Sequence, residues 1–109
     1  MAKFRNYPPE HGIRVPAAYL ENVVSEMLLS VDMDDESATL VAGLLVANDQ
    51  RSVYSHGTKK LTEYLNQIRA GVVSPRPEVK IERDGGAAAV IDGDGGLGHI
   101  ACHVGMTMA

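Results

Sequence analysis

An imidazole titrates near neutrality and can give or take a proton during a reaction. His56, in the run Tyr54–Ser55–His56–Gly57, is therefore a candidate for acid–base chemistry. Its neighbour Ser55 does not turn the pair into a nucleophile and base, because adjacent helical side chains diverge by about 100° and no glycine-flanked serine elbow surrounds them. From the residues alone, an ordinary helix-start histidine with a satisfied ring is the competing reading. His99 and His103 stand four apart in a presumed helix, a spacing that brings two imidazoles to one metal. Ile100, Ala101 and Cys102 lie between them, without the glutamate of a zinc-protease helix, so the expectation is no metal site, with His99 packing beside a glycine turn.

That turn is GDGGLGH, in which Gly93, Gly95 and Gly98 satisfy the G-x-G-x-x-G pattern of a dinucleotide-binding loop. With 11 glycines in 109 residues, chance matches come easily. A true fingerprint also needs a complete βαβ unit and an acidic residue about 20 positions further on, which has no counterpart before Ala109. The lone cysteine, Cys102, has no internal disulfide partner and is expected as a small, inert core residue, with Met106 and Met108 as core filler.

The elements that must position these residues follow from periodicity. Leu20, Val23, Val24, Met27, Leu28 and Val31 recur at three-and-four spacing, predicting a helix from Pro16 to about Ser30. Asp34, Asp35 and Glu36 supply an N-cap and first-turn charge for a second helix running to about Asp49. Its central AGLLVA is apolar nearly all round and should pack on more than one side. A third helix is expected to start near Ser55 or Thr58, to bury Leu61, Tyr64, Leu65 and Ile68, and to end at Arg69 and Gly71. VVSPRP is an extended linker; EVKIER, DGG and AAAVID read as a hairpin. LGHIACHVGMTMA opens a fourth helix with no stop signal, its face of Ile100, Val104 and Met108 only partly covered. The fold class is α+β: three helices, a hairpin and the start of a further helix, in the front portion of a larger subunit. Residues 1–15, with two adjacent prolines and no period, form an irregular arm, and 16–109 form the domain portion.

Hydrophobic residues at 45% and charged residues at 22% describe a globular chain. A net charge of -4 with no Lys/Arg cluster argues against nucleic-acid binding. No apolar run of about 18 residues and no signal-like start are present, so neither membrane span nor secretion is expected and the cytoplasm is the default compartment.

Four stretches in order, ANDQRSVYSHG, EYLNQIRAG, VVSPRPEV and VIDGDGGLGH, resemble the N-terminal region of the malate/L-lactate dehydrogenase-like oxidoreductases, from about Arg14 to Ala109. The resemblance implies an NAD- or NADP-dependent enzyme without a Rossmann fold, whose cofactor-binding loops lie mostly beyond this segment. It would interconvert 2-hydroxy and 2-oxo acids or reduce cyclic 2-imino acids, as a homodimer or higher homo-oligomer. It also implies that GDGGLGH is a strand-to-helix turn whose glycines permit positive φ and close packing. The histidine of the SHG triplet, His56 here, would be the proton donor or acceptor at the carbon exchanging a hydride, with Ser55 capping the helix or touching substrate. Family members often carry an arginine four residues later and a tyrosine four further on; Tyr64 matches, whereas Lys60 replaces the arginine and lacks its planar fork. Lys59, Lys60 and Arg51 keep the neighbourhood positive, so Ser55, Lys60, Tyr64 and Arg51 are the substrate-binding candidates. A solvated charge or a half-buried helix tyrosine is the plain alternative at those positions. By itself the 109-residue piece is expected to be inactive. The alternative from another class is a non-catalytic helical interaction module that pairs through helices two and four.

Overall fold

The computed structural model describes residues 10–109. Helix α1 spans Ala17–Leu29, and extended Pro16 (ψ 138°) precedes it, its carbonyl accepting the Leu20 N–H at 3.1 Å. The predicted cap of α2, Asp35–Gln50, is present: Asp34 Oδ1 accepts the Ser37 N–H at 2.8 Å, which satisfies one of the orphan donors of the first turn. The apolar stripes of α1 and α2 then meet. Val24 and Leu28 from one, and Ala38, Val41 and Leu45 from the other, are at most 2% exposed, and each larger side chain so buried stabilises the fold by about 1.5–3 kcal/mol. Met33, from the connecting loop, closes the end of this core. As its composition predicts, α2 packs on more than one side, touching α1 on one flank and the last helix on another.

The third helix begins later than the sequence suggests. Tyr54–His56 and Thr58–Lys60 form two short 3-10 turns, and the α-helix α3 spans Leu61–Arg69. The cause is a contact with α2. Gly57 is extended (φ -95°, ψ -149°), and Asp49 Oδ1 and Oδ2 accept the Thr58 N–H (3.2 Å) and Oγ1–H (2.5 Å). That carboxylate lies where a Cβ on residue 57 would sit, so glycine is required there. Leu61, Leu65 and Ile68 bury as predicted, and Gly71, with φ 75°, ends the helix.

Strands β1, Lys80–Asp84, and β2, Ala89–Asp92, pair antiparallel with Ile81 opposite Ile91 and a bulge between Ile81 and Arg83. The hairpin is exposed along nearly its whole length, and half-buried Ile91 is its hold on the last helix, where its Cδ1 approaches Gly105. The glycine turn after β2 is filled by the chain itself. Gly95 has φ 69° and its carbonyl accepts the Ser74 N–H at 2.8 Å; Asp94 Oδ2 accepts the Glu78 N–H at 2.7 Å; the Pro77 ring occupies the space a Cβ on Gly96 would need. These glycines thus bind the turn to the proline linker.

Helix α4, Gly98–Met108, follows Leu97, whose side chain is buried. Two expectations fail here. Cys102 is exposed rather than in the core, and Met106 and Met108, at 75% and 37% exposure, are not core filler. The reason is that α4 packs mainly against α2 and β2, and none of its own residues is fully buried. Residues 10–15 of the predicted arm contain no helix or strand, while 1–9 lie outside the described residues.

Candidate active site

The C-terminal half of α2, the turn after it, α3 and α4 enclose a groove of about 640 Å³. Arg51 stands at the C-cap of α2, where its Nε donates to the Ala47 carbonyl at 3.3 Å. His56 is held one turn away by two contacts. Asn48 Nδ2 donates to the His56 carbonyl at 3.0 Å, and Ser55 Oγ lies 2.9 Å from His56 Nδ1. With Nδ1 so engaged, Nε2 is the ring nitrogen left for other chemistry.

Tyr64, on the first turns of α3, meets His99 of α4 edge to face, with centroids 5.5 Å apart and planes at 77°, a favourable aromatic geometry. Burial holds His99 below the usual imidazole range, and its Nδ1 is buried without a hydrogen-bond partner. Desolvation raises the Tyr64 phenol, the charge of Lys60 opposing it in part, so both rings are neutral near pH 7. Leu44, Leu97, Cys102 and Met106 add an apolar wall.

Three of the sequence candidates, His56, Arg51 and Tyr64, therefore share this groove. Ser55 lies behind His56 rather than in the lining. It caps no α-helix, since α3 starts at Leu61. Lys60 stands beside the groove, its Nζ bonded to Glu63 Oε2 at 2.8 Å, a pair that raises the lysine above its usual value. His99, His103 and Cys102 join the groove from about 40 residues downstream, and their meeting with His56 is a tertiary fact that no local spacing signals. Among the described residues, no set of three or more His, Cys, Asp or Glu is placed to hold a metal ion.

The chain is similar to several known proteins. The chain is 36% identical over 105 residues to malate dehydrogenase of Pyrococcus horikoshii, covering 96% of this chain and 29% of that protein. The solved structure of malate dehydrogenase from that organism superposes with a TM-score of 0.88 at 37% identity, over 94% of this chain and 30% of that one. Sulfolactate dehydrogenase from Methanocaldococcus jannaschii superposes with a TM-score of 0.81 at 29% identity, over 85% and 27% of the two chains. Ureidoglycolate dehydrogenase (NAD(+)) of Escherichia coli K12 is 28% identical over 97 residues, 89% of this chain and 28% of that protein. The chain thus spans under a third of the length of these relatives. The profile of the malate/L-lactate dehydrogenase family matches residues 15–109, and to that family this chain belongs.

Proposed function

We propose that the chain provides the substrate-side acid–base groove of an oxidoreductase that interconverts 2-hydroxy and 2-oxo acids, or reduces cyclic 2-imino acids, with NAD or NADP. The observation that carries the reading is the convergence of His56, Arg51 and Tyr64 on one groove, with Ser55 engaging the far nitrogen of the histidine. The terminal nitrogens of Arg51 pair with the substrate carboxylate. This sets the carbon-2 oxygen near His56 Nε2, which gives it a proton as carbon 2 is reduced and takes that proton back in the oxidation. Tyr64 donates a hydrogen bond to the bound acid, and Lys60, from its pair with Glu63, adds positive charge at the rim.

A nicotinamide supplies or accepts the hydride when bound. Leu44 and Leu97 supply the apolar wall against which its ring would lie. The glycine turn is no cradle for its phosphates, because Pro77 and the backbone of 74–78 fill it. We therefore assign the dinucleotide-binding groups to polypeptide outside this stretch, and catalysis to a soluble homodimer or larger homo-oligomer in the cytoplasm.

The test replaces the aligned region of the P. horikoshii enzyme by residues 15–109 and follows NADH and NADPH at 340 nm with a panel of 2-oxo acids. Turnover by the chimera, lost on Arg51→Met with KM rising, supports the reading. Turnover that is indifferent to Arg51 and His56 sinks it.

A further inference from the structure

The groove's charge inventory reaches further than the reaction class. Among the described residues that line it, the permanent cation is Arg51. The lysine that could have made a second is drawn to Glu63 outside the lining. Among the described residues no carboxylate lines the groove, and the titratable groups that do are His56, which is assigned to the proton, His99, His103, Tyr64 and Cys102. His99 and Tyr64 press on each other and are neutral near pH 7. The rest of the lining is Gly98, the Asn48 amide, whose nitrogen donates to the His56 carbonyl, and the hydrocarbon and thioether of Leu44, Leu97 and Met106. One fixed positive charge can offset one desolvated carboxylate, whereas a second anionic group on the side of Leu44 and Met106 would lie against apolar side chains without a second permanent charge to pair with, an arrangement proteins avoid because its lost hydration is not replaced.

From this we infer that the groove selects acids carrying a single carboxylate and an apolar side chain over acids with a second anionic group. The inference rests on the reading of the groove given above. It departs from the doubly anionic acids in the names of the Pyrococcus and Methanocaldococcus relatives, malate and sulfolactate. Ureidoglycolate, in the name of the E. coli relative, carries one carboxylate. The selecting side chains are Leu44 and Met106, whose exposures of 37% and 75% leave their surfaces open to a ligand.

The experiment compares two acids of similar size, 4-methyl-2-oxopentanoate and 2-oxoglutarate, titrated into the 109-residue chain at pH 8, above the range in which imidazoles ordinarily titrate. Binding is read from NMR shifts of the His56 ring and of the Leu44 and Met106 methyl groups. At least tenfold tighter binding of the branched acid, with the methyl signals moving, is the expected result. Met106→Arg, a change at an exposed helical position, should narrow or reverse the preference by about tenfold. Equal or tighter binding of 2-oxoglutarate to the parent chain, with the same His56 signals moving, overturns the selectivity and leaves the groove reading standing. If neither acid moves the His56 signals, both fall.

Discussion

His56 and His99 place the same side chain in two different surroundings. His56 is exposed at the groove, with one nitrogen held by Ser55, and that leaves Nε2 as the atom the proposed proton transfer requires. His99 is half-buried against Tyr64, and the loss of hydration lowers its pKa. Its native state consequently binds fewer protons than the unfolded chain below the unfolded value of about 6.5. Stability is then full above that pH and is lost as the pH falls through the folded value. Thermal melts at pH 7 and pH 5 should show this directly: His99→Gln is expected to narrow the Tm difference between the two conditions, the partial exposure of the ring keeping the effect small. An unchanged difference would mean that His99 plays no part in the acid sensitivity. The sequence marked His56 through the SHG triplet, but gave no sign that His99 would face Tyr64, because that contact joins α3 to α4 across some 35 residues.

The element that most directly sets the site is the pair of 3-10 turns between α2 and α3. Asp49 fixes them by accepting two bonds from Thr58, and the extended backbone of Gly57 makes the approach possible. Asp49→Ala removes both bonds at a half-buried position and should cost about 1–2 kcal/mol, seen as a Tm lower by roughly 5–10 °C. In the chimera it should also lower turnover through a displaced His56, while Tm alone would fall if the turn had only a structural role. The boundaries of α1, α2 and β2 and the end of α3 were legible because their caps, stripes and breakers are local. The start of α3 was not, since the acceptor that breaks the helix lies nine residues upstream on another element. The exposure of Cys102 and Met106 escaped for a related reason: periodicity gives α4 an apolar face, but only the packing partner decides whether that face is covered.

At the scale of the molecule, the core lies among α1, α2 and α3, with Leu97 closing it, while the hairpin and α4 leave Ile81, Val90 and Met106 at least half exposed. Apolar surface of this kind favours association, and light scattering of the chain between micromolar and hundreds of micromolar concentration should show a rising mean mass; a constant monomer mass would count against the homo-oligomer. The isolated chain, without the assigned dinucleotide-binding groups, should show no turnover at 340 nm, and robust turnover would overturn that assignment. The central claim concerns one proton. In the chimera carrying residues 15–109, kcat at pH 7 for a 2-oxo acid should fall about 10²–10⁴-fold on His56→Gln, with KM changed only a few-fold; a kcat within twofold of the parent would contradict the role of His56.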